Sequence, residues 1–288
     1  MNNAIKIGVI GANGQLGTDL CTFFNKLGFE IIELNHNNLD ITDFQKCKEV
    51  LSNINVKFVI NTAAMHNVES CEDNPVKSFS VNGLGARNLA ILSKDLDYTL
   101  IHFSTDYVFN GYNTRPYIEG DTPLPLNVYG NTKLAGENFI RSIAEKYFIL
   151  RISGIYGRNQ CRAKSGLNFV TLMLKLASER DEIRVVNNER LSPTHTIDIC
   201  KQLKLLISQE SYGLYHVATL ESCSWYEFAK KIFELKNIKT KLSIANPDEF
   251  PVKVPRPLYS VLDNSHLNKI GINIMPHWET SLEEFLNL

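Results

Sequence analysis

The 288-residue chain lacks the marks of several whole classes of protein. No apolar run is long enough to span a bilayer, and the apolar stretch before Gly11 is too short for the core of a signal peptide. No membrane partner is therefore expected, and the expected location is cytoplasmic. The six cysteines, at 21, 47, 71, 161, 200 and 223, include no Cys-x-x-Cys pair, and the seven histidines include no i, i+4 pair. That spacing suggests neither a metal cage nor a disulfide framework, and free thiols suit a reducing compartment. An excess of one charge is missing too: 30 basic residues face 31 acidic ones, scattered singly or in pairs. Without a basic stripe, no nucleic-acid partner is expected. Internal repeats and low-complexity tracts are also absent.

What is present is alternation. Ile5–Ile10, Phe29–Leu34, Lys57–Asn61, Thr99–Ser104 and Phe148–Ile152 are short apolar runs that predict buried strands. Between them, Gly14–Leu27, Asp43–Ser52, Pro75–Lys94 and Asn127–Glu145 carry the apolar spacing of helices. Strands alternating with helices imply parallel strands joined by right-handed crossovers. The expected fold class is α/β, a doubly wound parallel sheet of the Rossmann type with a smaller C-terminal substrate-binding region. Asn110–Leu126, with two glycines and three prolines, predicts a long structured loop. Farther on, Asn168–Ser178, Thr194–Ser208 and Ser224–Leu235 predict helices, and Glu182–Val186 and Leu214–Val217 short strands. The proline-rich stretch Pro247–Pro257 follows, and a short helix after Pro276 ends the chain. A dinucleotide-binding domain is expected over 1–155. The substrate-binding region would cover 156–288, interleaved with the first through 182–208 and packed over the carboxyl ends of the strands, where such folds bind ligands.

After the first run, Gly11-x-x-Gly14-x-x-Gly17 opens the first helix. Glycines allow a tight turn and let backbone N–H groups approach a pyrophosphate at a helix N-terminus. The same spacing also suits a turn that only packs strand against helix. Within this cradle, Gly11, Asn13, Gly14, Gln15 and Leu16 are the candidate cofactor contacts. A dinucleotide fold usually ends its second strand in a carboxylate that holds the adenosine ribose; here that position is Asn35. A 2′-phosphate would not be repelled, yet no arginine stands nearby, so NADPH and NADH both remain admissible, with a slight lean to NADPH. Asp40 precedes a helix and suits either a helix cap or the adenine edge. Ala63 and Ala64, after the third run, leave room for a flat cofactor.

Tyr129 and Lys133 stand four apart at the start of a predicted helix and therefore share a face. A free phenol has a pKa of about 10, and lowering it to ~7 requires ~4 kcal/mol in favour of the phenolate. One ammonium at 4 Å supplies ~1 kcal/mol in bulk water but ~4 at a protein-like effective dielectric. The pair is useful only in a partly desolvated pocket, and the same spacing also fits an ordinary contact on a helix surface.

With the glycine spacing, Ser104-Thr105-Asp106-Tyr107-Val108-Phe109 and Tyr129-Gly130-Asn131-Thr132-Lys133, the chain resembles the extended short-chain dehydrogenase/reductases. Within them it is most similar to the dTDP-4-dehydrorhamnose reductase family. Val81-Asn82, Asn168-Phe169-Val170, Pro193-Thr194, Gly213-Leu214-Tyr215-His216, Ser224-Trp225-Tyr226-Glu227 and Arg256-Pro257 also match, in family order. The resemblance implies an NADPH- or NADH-dependent reduction of a nucleotide-linked 4-keto sugar. Tyr129 would be the acid, Lys133 its tuner and ribose clamp, and Thr105 the hydroxyl partner of the reacting oxygen. Cofactor contacts would fall on Gly14, Gln15, Leu16, Asp40, Ile41, Ala63, Ala64, Met65, Tyr129 and Lys133. The substrate would meet Thr105, Asp106, Tyr129, the Gly154 position and Asn168. A homodimer is admissible.

Two departures bear on the substrate. Gly154 stands where the family commonly has tryptophan, and Leu191-Ser192 where a glycine is usual. The following segment, Arg158–Gly166, is cationic and suits either a solvated loop or a cover for the diphosphate. A sugar-nucleotide dehydratase of the same superfamily would carry an Asp-Glu pair, whereas Asp106 is followed by Tyr107. The regulatory subunit of methionine adenosyltransferase is similar to the same family, but intact Thr105, Tyr129 and Lys133 favour an enzyme.

Overall fold

The computed structural model describes residues 4–160, 166–246, 249 and 253–287. Cys161, Arg162 and Lys164 of the expected cationic segment lie outside the described residues. Among those described, the strands are β1 (Lys6–Ile10), β2 (Glu30–Leu34), β3 (Phe58–Asn61), β4 (Thr99–Thr105), β5 (Tyr147–Ile152), β6 (Glu182–Val185), β7 (Arg190–Leu191), β8 (Gly213–His216), β9 (Cys223–Ser224) and β10 (Lys241–Ile244). The helices are α1 (Gln15–Lys26), α2 (Phe44–Ile54), α3 (Val68–Asp73), α4 (Pro75–Phe79), α5 (Ala86–Asp95), α6 (Val128–Ile143), α7 (Phe169–Glu179), α8 (Thr196–Leu206), α9 (Trp225–Leu235), α10 (Ser265–Lys269) and α11 (Trp278–Asn287).

The main sheet has six parallel strands in the order β2-β1-β3-β4-β5-β8. Successive side chains of a strand point to opposite faces, and here both faces are covered, so the strands read as near-continuous apolar runs. Ile7, Val9, Ile60, Ile101 and Leu150 face one core with Leu20 and Phe24 of α1 and Ile199 and Leu203 of α8. Val59, Leu100 and Ile149 face the other, with Leu51 of α2, Leu89 of α5 and Ile140 of α6. A third core joins α7, α9 and α11 through Met173, Phe228, Ile232, Leu282 and Phe285. The strand order reverses at β1 and β3, which opens a crevice at the carboxyl ends of the strands.

A boundary at residue 155 does not describe this sheet. Its sixth strand, β8, comes from 213–216 and pairs with β5 from Phe148↔Gly213 to Arg151↔His216. The pairing covers an edge that would otherwise present unpaired backbone groups. The chain returns to the first core through α8 and β8, whereas β6, within the expected 182–208 crossing, pairs with β10 instead. The single helix expected over Pro75–Lys94 is interrupted by a π-helical turn at Ser80–Gly85. Such turns insert one residue and re-aim the side chains beyond it. Asn82 in this turn clasps the Met65 backbone, accepting from its N–H and donating to its carbonyl, each at 2.9 Å.

Between α6 and β5 lies a buried ion pair. Arg151 donates to Glu137 at 2.9 and 2.7 Å, and both side chains are at most 1% exposed. Ser104 also donates to Glu137, and the guanidinium lies over the Phe109 ring. Removing one member of such a pair leaves the other charge buried and uncompensated. Arg151→Met is expected to cost about 3–5 kcal/mol of stability in urea unfolding. A loss below about 1 kcal/mol would show that the pair carries no such weight.

Candidate active site

A single cavity of about 800 Å³ runs along the carboxyl ends of the strands. Its walls include Gly11, Asn13, Gly14, Gln15 and Leu16 at one end, and Thr105, Asp106, Tyr129 and Lys133 at the other. Asp40, Ile41, Ala63, Ala64, Gly154 and Asn168 also line it.

The cradle end is built by β1, the turn and α1. Gly11 takes φ +76°, and its N–H donates to the carbonyl of Leu34 at 2.7 Å. Gly17 lies so close to the Gly11 carbonyl that a Cβ would collide with it, so the helix reaches the strand only with glycine there. Gly14 caps α1 without a side-chain hydrogen bond. The first N–H groups of the helix are therefore available to an anion, with the helix dipole behind them. Gln15 Oε1 is buried and has no hydrogen-bond partner. An open helix N-terminus, an orphaned amide oxygen and a long cavity fit a dinucleotide with its pyrophosphate at Gly14–Gly17.

Two expected cofactor contacts do not line the cavity. Asn35 turns its side chain back to accept the Asn37 N–H at 2.9 Å, and its neighbour His36 faces the cavity instead. Met65 has its backbone engaged by Asn82. Asp40 does line the cavity, while the helix cap belongs to Asp43, which accepts the Lys46 N–H at 2.9 Å. Burial alone would raise the Asp40 pKa. The N–H and hydroxyl of Thr42, with the charges of His36 and Lys77, outweigh it and hold the carboxyl below its ordinary range. His36 and Lys77 both line the cavity and were not singled out from sequence.

At the other end, α6 presents Tyr129 and Lys133 to the end of β4. Lys133 is 2% exposed; its Nζ donates to the Phe103 carbonyl at 2.6 Å and lies 3.2 Å from His102 Nε2. Burial brings Lys133 down to about 8, against the opposing charges of Glu137 and Cys71. Burial also pushes the Tyr129 phenol above its ordinary 10, with the Thr105 hydroxyl pulling it down and Asp106 and Cys71 pushing it up. Desolvation thus outweighs the lowering expected from Lys133, and Tyr129 stays protonated at neutral pH.

Thr105 donates to Asp106 Oδ1 at 3.0 Å, while Ser153 and Ser260 donate to Oδ2 at 2.8 and 2.6 Å. Burial raises the Asp106 pKa against these three hydroxyls. Asn168 spends its amide on structure: it caps α7 through the Thr171 N–H at 3.1 Å and donates to the Gly157 carbonyl at 2.6 Å. Trp225, against Phe169 at a ring separation of 4.5 Å, and Arg256 complete this end. Arg256 pairs with Glu69, and its Nε is buried without a partner. Trp225 and Arg256 stood in matched stretches of the sequence, but nothing in their spacing assigned them to the cavity.

Residues 5–288 match the family described as the RmlD substrate binding domain. The chain belongs to this family. It is 38% identical over 281 residues to the spore coat polysaccharide biosynthesis protein SpsK of Bacillus subtilis (strain 168), covering 98% of this chain and 96% of that protein. It is 33% identical to the dTDP-4-dehydrorhamnose reductase of Aggregatibacter actinomycetemcomitans, covering 96% of each chain. The solved dTDP-4-dehydrorhamnose reductase of Bacillus anthracis str. Ames, in complex with NADP, superposes with a TM-score of 0.94 at 38% identity, covering 99% of both chains.

In this member of the RmlD family, the backbone and surroundings of Gly154 leave no room for a side chain. Gly154 takes φ +49°, and a Cβ there would collide with Leu191 Cδ1. Leu191 fills the space next to Gly154. Gly154→Trp alone is expected to destabilise the protein by about 1–3 kcal/mol through overpacking and the left-handed backbone. Adding Leu191→Gly should recover part of that loss, read as non-additivity in a double-mutant cycle by thermal unfolding. Strict additivity would show that the two sites do not share this space.

Proposed function

We propose that this chain reduces the 4-keto group of a nucleotide-linked 6-deoxy sugar with a reduced nicotinamide dinucleotide, converting dTDP-4-dehydro-L-rhamnose to dTDP-L-rhamnose. The observation that carries the reading is the single cavity that joins the uncapped N-terminus of α1 to Thr105, Tyr129 and Lys133. Lys77, a cation of the cavity wall whose charge acts on Asp40, favours NADPH over NADH. The B. anthracis relative solved with NADP supports the same choice. Residues beyond 155, with Trp225, Phe169 and Arg256, form the sugar-nucleotide side. The name of the B. subtilis relative supports a product destined for a cell-surface polysaccharide.

The bound nicotinamide supplies the hydride that adds to C4. Tyr129 gives its phenolic proton to the C4 oxygen as negative charge develops there, so ketone, hydride and proton sum to the alcohol. Burial keeps the phenol protonated, so the proton is present to be given, and the Thr105 hydroxyl acts against burial to ease its release, as does the positive charge of Lys133. Thr105 is placed beside the phenol and contributes its hydroxyl to the reacting oxygen. Lys133 spends one N–H on the Phe103 carbonyl and keeps another for the cavity. Donors fixed in advance around a developing oxyanion supply the largest share of such catalysis.

A panel of dTDP-, GDP- and CDP-linked 4-keto-6-deoxy sugars, followed at the reduced-nicotinamide absorbance, tests the reading. Oxidation of NADPH with a dTDP-linked ketosugar is expected; cofactor binding without turnover on any of them would end it. Tyr129→Phe should lower kcat by about 10²–10⁴ and leave NADPH affinity nearly unchanged. Wild-type turnover in that variant would remove Tyr129 as the acid.

A further inference from the structure

Beneath the reactive end of the cavity runs a line of hydrogen bonds in which two side chains, Asn61 and His102, do not line the cavity themselves. The line starts at the Ala63 N–H, which donates to Asn61 Oδ1 at 3.1 Å. Asn61 Nδ2 lies 3.1 Å from His102 Nδ1, and His102 Nε2 lies 3.2 Å from Lys133 Nζ. All three side chains are at most 2% exposed.

The directions of these bonds depend on one another. The Ala63 N–H needs an acceptor, which turns the Asn61 oxygen toward Ala63 and its NH2 group toward the ring. His102 Nδ1 then accepts. Burial, reinforced by the charge of Lys133, holds His102 well below its ordinary 6.5, so the ring is neutral and carries one hydrogen. With Nδ1 accepting, that hydrogen sits on Nε2 and is aimed at Lys133 Nζ. An ammonium has no lone pair to receive it, whereas a neutral amine has. The bond from Lys133 to the Phe103 carbonyl suits either form.

We propose that Asn61 and His102 are a positioning pair for Lys133: Asn61 fixes the ring hydrogen of His102 on Nε2, and His102 donates it to the Lys133 amine. The pair makes the neutral lysine a hydrogen-bonded partner rather than an orphan, so Lys133 can release its proton and regain it from water. In the cycle, Tyr129 is left as phenolate once it has protonated the product. The Lys133 ammonium returns a proton to it through water in the cavity, and the amine that remains accepts from His102. Among the other groups that act on Lys133, Glu137 on its own helix and Cys71 on α3 favour the ammonium. Glu137 is already bound by Arg151 and Ser104.

The inference rests on Lys133 belonging to the reductive centre, but its first test needs no turnover. NMR of the cofactor-free protein labelled with 15N-histidine, with His102 assigned by its loss in His102→Gln, reads which ring nitrogen bears hydrogen. Hydrogen on Nε2 alone between pH 7 and 9 is expected; hydrogen on Nδ1, or on both nitrogens, overturns the proposal. In Asn61→Asp the carboxylate would take the Nδ1 hydrogen and turn Nε2 into an acceptor for the ammonium. The Lys133 titration, followed at its own nitrogen, should then rise by at least about one pH unit. The same rise in the Asn61→Asp/His102→Gln double variant would mark a plain charge effect and overturn the proposal. A protein with the Nε2 hydrogen that reduces no ketosugar would leave the pair standing and remove the proposed activity.

Discussion

The buried amino group of Lys133, bonded to the carbonyl of Phe103, is the contact on which the reactive end depends. A lysine is rarely enclosed without a partner, and this bond ties α6 to the end of β4. One turn earlier, the same helix face carries Tyr129 into the cavity beside Thr105. One turn later, it carries Glu137 into the sheet against Arg151 of β5. Residues 129, 133 and 137 therefore form a single polar line along α6, from cavity to interior, as i, i+4 spacing requires. Displacing any part of it would shift the phenol relative to the strand that holds its hydroxyl partner.

Burial then sets the protonation states. It pushes the phenol up and the lysine down, and in both cases it is the largest influence. A simple Coulomb argument from Tyr129 and Lys133 alone predicts the opposite for the phenol, because it leaves out the desolvation that makes the charge effective. Asp106, enclosed among three hydroxyls, belongs to the same buried electrostatic environment and is also raised.

Much of this was legible in the sequence because local periodicity carries it. The apolar runs Ile5–Ile10, Lys57–Asn61 and Phe148–Ile152 fall, to within a residue, on the strands Lys6–Ile10, Phe58–Asn61 and Tyr147–Ile152, because both faces of the sheet are covered. Spacing of four placed Tyr129 and Lys133 together, and Thr105 followed from the end of its strand. Long-range choices were less legible. Leu214–Val217 reads as a strand, but its period does not say that it completes the main sheet beside β5. Asn35 sits where a ribose contact belongs, yet an asparagine at a strand end readily bonds its own loop, which leaves His36 toward the cavity. Asn168 matched a family stretch, while its amide serves as a helix cap and holds Gly157. Nothing in the sequence around Gly154 says that Leu191, 37 positions later, occupies the adjoining space.

The most direct test of the account is to supply NADPH carrying deuterium at nicotinamide C4 with a dTDP-4-keto-6-deoxy sugar and to locate the label in the product by NMR. One deuterium at sugar C4 in each molecule of product is the predicted result. Product without deuterium at C4, or with the label at another carbon, would contradict it.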